Sequence, residues 1–418
     1  MRVCMIEACK DADRGSIGAS YVVVHAQRVG YSVDILRAPK AGYDVELISV
    51  HHCTDFERLA RMPRLAKWRI VGGHPMANNP RPAIPFADAV CVGEGEAWIK
   101  RALPLLDETG DIRSLSELPG TIVSSMWQLG NPLPTPNVER PLPDNPPHLN
   151  YPGTRSAAWY VEIARGCPYK CHFCELGNSM PYRHYDTEHL QKALGQVDTS
   201  LTRKINFFAP DEAAHPRYHE LHSLLVERGY SAGFSSMRVD SILRHGLPKG
   251  VKKNLLVRMG IDGLTEETRR RAGKPITDDM IVECFQYLLG RGHSQFKMFM
   301  IHGYPWEMSD DFQEFEQLMR RVFDLPLAKN VSLRVKWTPF IPQPCTPLGN
   351  TRSKYDFRVI DSINMWHTLR ARPKNKPGWF IENDGMMSYY THKRQCELTS
   401  GDERTLLRLP GVQPLYRF

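Results

Sequence analysis

The 418-residue chain predicts an α/β protein: a trimmed parallel-sheet domain, then a partial (β/α)6 TIM-type barrel, then a basic C-terminal extension. Three observations predict it. Strand-like and helix-like segments alternate over the first hundred residues, which suits a parallel sheet flanked by helices. A Pro- and Asn-dense stretch, LGNPLPTPNVERPLPDNPPHLNYPG, then interrupts the alternation. From Trp159 the alternation returns, with about six β/α units in roughly 180 residues, too few for a full eightfold barrel.

In order, Val3–Ile6 is a short apolar run, and Ile17–Arg28 has helical spacing with Gly30 as its stop. Ser32–Leu36, Val45–Ser49, Trp68–Val71 and Ala87–Val92 are β-type, and Glu94–Leu105 is helical. Leu36 and Glu46 are too close for a normal parallel crossover. Either a helix is missing there or one strand is antiparallel. Residues 1–105 form the first domain and 106–157 a Pro-rich linker. Residues 158–350 form the barrel, with strands at Tyr160–Ala164, Ile205–Ala209, Gly233–Ser236, Leu255–Met259, Phe296–Ile301 and Val331–Thr338. Residues 351–418 are the extension, with 12 Lys+Arg against 7 Asp+Glu.

Composition narrows the class. No run of eighteen apolar residues argues for a membrane span, and the N-terminus does not read as a secretory signal, so a cytoplasmic location without membrane partners is expected. Residues 1–150 hold 16 Lys+Arg against 17 Asp+Glu, so the +8 formal charge comes from the remainder. Such a surplus attracts phosphate-rich partners or is a solvated basic face. Ten cysteines in a reducing compartment do not form a disulfide framework, and three of them fall within eight residues.

Those three, Cys167, Cys171 and Cys174, have the spacing Cys-x3-Cys-x2-Cys directly after the first barrel strand. Thiolates are the usual ligands of iron–sulfur clusters, and three of them leave one iron of a [4Fe–4S] cubane open to a small molecule. The competing reading is a structural zinc site, which needs a fourth ligand such as His172 or His184.

With Arg165-Gly166-Cys167-Pro168 before it and Phe173-Cys174 at its end, the loop resembles the radical S-adenosylmethionine (SAM) superfamily. The resemblance runs over roughly residues 155–350. It includes FFAPDEAAH with Asp211 and Glu212, MRVDSI with Arg238 and Asp240, and RMGIDGLTEETRRRAGK with Asp262 where Glu is common. It continues in MIHGYPWEMSDDF, with Gly303, Pro305 and Glu307, and in TPFIPQPCTPLG. The resemblance implies a [4Fe–4S] cluster on Cys167, Cys171 and Cys174 as the catalytic metal centre. It also implies reductive cleavage of SAM to a 5′-deoxyadenosyl radical and an electron donor such as flavodoxin or ferredoxin. Phe173, Arg238, Asp262, Gly303 and Glu307 become cofactor-binding candidates, Arg238 for the SAM carboxylate and Asp262 for the ribose. Glu307 has a capping role as its alternative.

WRIVGGHPMANNP followed by FADAVCVGEGEAWI resembles the cobalamin-binding domain that precedes many radical SAM barrels. This makes residues 1–105 a trimmed Rossmann-like domain, with Gly72, Gly73 and Gly93 admitting a ligand close to the backbone. No Asp-x-His-x-x-Gly motif offers an axial histidine, and cobalamin stays open. Cys9, Cys53 and His74 stand roughly where methylthiotransferases carry ligands for a second cluster.

Two reactions are expected. One is functionalisation or rearrangement of a C–H position on a DNA or RNA base or its attached group. It is motivated by the basic barrel and tail and by Tyr389, Tyr390, His392, Lys393 and Arg394. The other is cobalamin-dependent C-methylation of a small molecule or peptide.

Overall fold

The computed structural model describes residues 1–9, 16–144, 159–197, 199–200, 202–233, 235–248, 251–369 and 378–418. The last quarter of the expected linker, 145–157, lies outside the described residues.

The N-terminal domain contains β1 (Val3–Glu7), α1 (Ile17–Arg28), β2 (Val33–Leu36), β3 (Val45–Ser49), α2 (Phe56–Arg61), β4 (Trp68–Gly72) and α3 (His74–Asn78). It continues through β5 (Ala89–Cys91), α4 (Glu96–Thr109) and β6 (Thr121–Val123). The sheet order is β2-β1-β3-β4-β5-β6, parallel except for the last pair. β1 and β3 are buried at every position, as strands covered on both faces must be. Both β2 and β3 run parallel to β1, so the short Leu36–Glu46 connection lacks a helix rather than reversing a strand. The expected boundary at 105 falls inside α4, which continues through Pro104 to a left-handed Gly110 at φ 63°. Residues 106–126 add β6 to the sheet.

α1 and α4 cover one face through Ala19, Val23, Trp98, Ile99 and Leu103. The opposite face packs on Phe56 and Leu59 of α2 and on Leu398 and Leu406 from the far end of the chain. Hydrogen bonds pin that end. Leu415 N donates to Pro85 O at 2.8 Å, Tyr416 Oη to Asp88 at 2.8 Å, and Asn79 Nδ2 to Gly401 O at 2.8 Å.

The barrel opens with β7 (Trp159–Glu162), β8 (Ala164–Arg165), α5 (Glu175–Ser179), β9 (Arg183–His184), α6 (Thr187–Gly195), β10 (Lys204–Phe208) and α7 (Tyr218–Glu227). Then come β11 (Ser231–Gly233), β12 (Ser236–Arg238), α8 (Val239–His245), β13 (Val257–Gly260), α9 (Glu266–Arg271) and α10 (Asp278–Gly290). It ends with β14 (Gln295–His302), α11 (Asp311–Phe323), β15 (Val331–Pro339), α12 (Phe357–Leu369), β16 (Trp379–Met386) and α13 (Tyr389–Thr399). Two parallel sheets, β7-β10-β11 and β12-β13-β14-β15-β16, form its wall, with β11 and β12 sharing the third strand position. The six expected strands are present. A seventh, β16, comes from the stretch expected to be an extension.

Alternation on the strands separates two environments. Phe296, Met298 and Met300 of β14 and Leu333, Val335 and Trp337 of β15 pack outward on Phe285, Phe315 and Trp366 of the helices. The intervening residues face the lumen and are less buried. No helix among the described residues is long and apolar enough to cross a membrane.

Candidate functional site

The cysteine loop leaves the barrel at β8 through Gly166, whose φ is 65°. A Cβ there would lie 2.2 Å from Pro181 O, so only glycine lets the chain turn against the β9 arm. Asn178 Nδ2 donates to Cys171 O at 2.9 Å and to Cys174 O at 2.7 Å, and Lys170 Nζ donates to Gly177 O at 2.6 Å. These bonds fix the loop from within.

All three cysteines are free thiols, Cys171 buried and Cys167 and Cys174 half-buried. Burial, helped by the neighbouring Cys171 and Cys167, pushes the Cys174 thiol up to about 12. A bound cation would reverse that cost by stabilising the thiolates. A single zinc ion would draw its sulfurs inside 4.8 Å of one another, given Zn–S bonds of about 2.3 Å. Among the described residues the three do not converge that closely. Neither proposed fourth zinc ligand reaches them: His172 Nδ1 lies 2.9 Å from Arg271 O, and His184 stacks edge-on against His215. Three free thiols on one loop suit a cluster with one iron left open.

Arg238, at the end of β12, puts Nη1 3.3 Å from Cys171 Sγ. Its other nitrogens pair with Asp240 at 2.9 and 3.1 Å, and the guanidinium lies 4.1 Å over the Tyr169 ring. Tyr169 Oη meets Ser241 Oγ at 2.8 Å, and Ser241 donates to Asp211 at 2.6 Å. Arg238 is thus engaged with the cysteine loop and with Asp240.

Asp262 follows β13 with φ 62°, the one left-handed non-glycine among the described residues. Lys274 Nζ holds its carboxylate at 2.5 Å, and Tyr304 Oη donates to its carbonyl at 3.0 Å. A strained backbone held by a buried lysine is a feature of ligand sites. Phe173 meets Tyr304 edge-on at 6.2 Å, and Tyr304 stacks on Phe340 at 4.9 Å. Gly303, at φ 84°, lets the loop after β14 approach Lys354 O, 2.5 Å from where a Cβ would stand. Glu307 accepts from Gly303 N and from Tyr304 N. Burial pushes its carboxyl up to about 8, so Glu307 closes this loop from inside.

The glycines of the first domain admit the chain's own backbone. A Cβ on Gly73 would stand 2.0 Å from Val50 O, and one on Gly93 2.4 Å from Asn137 N. Gly72 has ordinary contact with Cys91. Cys9, Cys53 and His74 do not meet. Cys9 lies with Glu7 and His51, Cys53 Sγ accepts from Thr399 Oγ1 at 3.0 Å, and His74 Nε2 is 3.0 Å from Glu175 Oε1. The tail cluster is also divided: His392 is buried and Arg394 pairs with Glu57 and Glu397, while Tyr389, Tyr390 and Lys393 are exposed.

Reading the sequence missed Lys274, Tyr169, Ser241 and the His74–Glu175 contact. Only Lys274 left a signal, as the end of the RRRAGK run. The C-terminal edge of the first sheet is held against the cysteine loop through His74–Glu175 and against the loop after β15 through Asn78 Nδ2 to Gln343 at 2.7 Å.

Residues 161–319 match the family model "Radical SAM superfamily". An uncharacterized protein of Methanocaldococcus jannaschii is 25% identical over 60% of this chain and 54% of its own length. Hopanoid C-3 methylase of Methylococcus capsulatus is 23% identical over 75% and 61%. The chain therefore spans between half and two thirds of these curated relatives. Among solved structures, the radical SAM methyltransferase TsrM from Kitasatospora setae superimposes with a TM-score of 0.63 at 11% identity, covering 96% of this chain and 82% of TsrM. The cobalamin-dependent radical SAM enzyme OxsB superimposes at 0.58 and 14%, covering 76% and 51%.

Proposed function

We propose that this chain, whose residues 161–319 are a radical SAM domain, is an enzyme that replaces hydrogen on an unactivated carbon by cobalamin-dependent C-methylation. The observation that carries the reading is the docking of the first sheet's C-terminal edge on the barrel mouth, on the cysteine loop through His74–Glu175 and on the loop after β15 through Asn78–Gln343. In open α/β sheets ligands sit outside the carboxyl ends of the strands, at the point where strand order reverses. Here that point lies between β1 and β3, and Glu7, Cys9 and His51 stand at it. The methylases among the relatives support the same reading.

Cys167, Cys171 and Cys174 would hold the [4Fe–4S] cluster. When bound, the cluster supplies the electron that activates SAM, and cobalamin carries the methyl group. Arg238 donates a hydrogen bond to Cys171 Sγ, which would be a cluster ligand, while Lys274 fixes Asp262 beside the cysteine loop. Phe173, Tyr304 and Phe340 wall that side with aromatic surface, which excludes water. A flavodoxin or ferredoxin would supply electrons.

A nucleic-acid base remains the second reading. It rests on the positive surplus of residues 151–418 and on exposed Tyr389, Tyr390 and Lys393, while His392 and Arg394 are spent on internal contacts.

The test is anaerobic reconstitution with iron and sulfide, then incubation with methyl-labelled SAM, reductant and cobalamin. The expected result is retained cobalamin and release of S-adenosylhomocysteine and 5′-deoxyadenosine. A loaded cluster that releases neither product ends the enzyme reading. SAM cleavage without cobalamin retention ends the methylation half alone.

A further inference from the structure

The carboxyl edge of the first sheet carries a second group of metal-ligating side chains, apart from the cysteine loop. Glu7 ends β1, and register sets it opposite Ser49, the last residue of β3. Two residues further along, Cys9 follows β1 and His51 follows β3. Side chains two apart on an extended chain share a face, so Glu7 and Cys9 stand on one side and His51 meets them from the neighbouring strand. A carboxylate oxygen of Glu7, Cys9 Sγ and a ring nitrogen of His51 all lie within 4.8 Å of one another. Among the described residues no other three His, Cys, Asp or Glu ligand atoms converge so closely.

The backbone around the three is pinned. Ala8 N donates to Ser49 O at 2.8 Å, Arg58 Nη1 to Cys9 O at 2.5 Å, and His51 N to Asp55 at 3.3 Å. Glu7 is buried, and its Oε1 accepts from the backbone N of Ser16, the cap of α1, at 3.0 Å. Bonds of this kind orient ligands in metal sites. Cys9 and His51 are half-buried, so the crevice beyond the strand ends reaches them.

His51 already brings positive charge to this point. Its Nε2 lies 2.8 Å from Glu7 Oε2, yet it is closed off from solvent and makes no aligned hydrogen bond. Against the cost of burial, Cys9 and Glu7 push the imidazole up to about 10. The His51–Glu7 pair is thus the metal-free state, with a proton where an ion would stand. Binding of the ion would release that proton and the thiol proton of Cys9 to solvent.

We propose that Glu7, Cys9 and His51 bind a divalent ion of the zinc class at the carboxyl edge of the first sheet, with one coordination position left open to the crevice. One sulfur, one nitrogen and one oxygen suit zinc, whereas calcium and magnesium take oxygen ligands. Three protein ligands leave the fourth tetrahedral position to water or to a molecule in the crevice. The inference stands without the methylation reading, although both use the switch point between β1 and β3.

The experiment is anaerobic titration of the cluster-loaded full chain with zinc sulfate against a colorimetric chelator, with zinc and iron counted per chain after desalting. About one zinc per chain is expected beside the cluster. X-ray absorption at the zinc edge should show one sulfur at about 2.3 Å and nitrogen or oxygen at about 2.0–2.1 Å. Outer partners of metal sites are worth about 10–100-fold in affinity, so Cys9→Ser and His51→Gln, which each remove a ligand, should weaken zinc at least about a hundredfold. His51→Cys should keep zinc and show a second sulfur, which a merely structural ion pair would not do. Iron per chain should stay constant, which checks folding and excludes zinc held by empty cluster cysteines. No retained zinc, a wild-type sulfur count of none or three, or unchanged affinity in Cys9→Ser and His51→Gln overturns the proposal, and the wild-type spectrum decides even where a variant fails to fold. Cobalamin is then added to the zinc-loaded chain. Release of zinc assigns the three side chains to the corrin site and overturns the proposal. Zinc retained without cobalamin binding supports it and defeats only the methylation reading.

Discussion

His74, the first residue of α3 just past the fourth strand of the first domain, places Nε2 3.0 Å from Oε1 of Glu175, the residue after Cys174. One ion pair thus joins the edge of one domain to the loop of the other. The Glu175 carboxylate holds the imidazole above its ordinary value against the opposing effect of burial. A folded-state pKa above the unfolded one means that this pair stabilises fully below about pH 6.5 and loses its effect as pH rises through the folded value. His74→Ala should cost no more than about 1 kcal/mol, because both side chains are partly exposed. The loss should be visible at pH 6 and shrink as pH rises, as read by chemical denaturation across that range.

Gly166→Ala tests the cysteine loop. The new Cβ would stand 2.2 Å from Pro181 O at a φ of 65°. Strain of about 1–3 kcal/mol is expected. Reconstituted iron per chain should fall well below wild type, while the melting of the first domain stays unchanged.

Arg238→Gln removes the donor to Cys171 Sγ and leaves Asp240 without its guanidinium. A hydrogen bond to a cluster sulfur stabilises the reduced, more negative state. The variant cluster should be harder to reduce, seen as a lower midpoint potential by spectroelectrochemistry. Stability should drop by about 1–3 kcal/mol. An unchanged potential would separate Arg238 from the cluster.

Glu307 gives a pH signature. Burial raises its carboxyl to about 8 from an ordinary 4.5. The native state holds the proton longer than the unfolded chain, so its contribution to stability is full below about pH 4.5 and is lost as pH rises towards about 8. Glu307→Gln keeps an acceptor for Gly303 and Tyr304 and should flatten that slope, measured as unfolding midpoint against pH.

Leu406→Ala probes the end of the chain. Leu406 is fully buried in the second core of the first domain. A loss of about 2–5 kcal/mol is expected, detected as earlier melting of that domain's β-sheet signal.

The parts legible in the sequence are those with local causes. β1 and β3 are continuous apolar runs because both faces are covered, and α1 is bounded by Ser16 and Gly30. β16 was hidden because its inward residues, Glu382 and Asp384, meet a charged lumen, so IENDGM shows no apolar alternation and carries strand-averse Asn and Gly. β6 is three residues long, too short for any period. The cysteine spacing is local and was read at once. Arg238 with Cys171 and His74 with Glu175 join residues far apart in the chain, and no spacing announces such pairs. YYTHKR read as a basic aromatic patch, yet the helical turn of α13 carries His392 inward and sets Arg394 against Glu57.

Leu398, Leu406 and the hydrogen bonds from Leu415 and Tyr416 have a consequence for biosynthesis. The domain translated first keeps one apolar face open until the whole barrel has left the ribosome. Such exposed surface invites aggregation and chaperone binding during synthesis. The nascent chain should therefore stay protease-sensitive over residues 1–105 until residues 398–416 have emerged. Closure of that face then marks the completion of both domains at once.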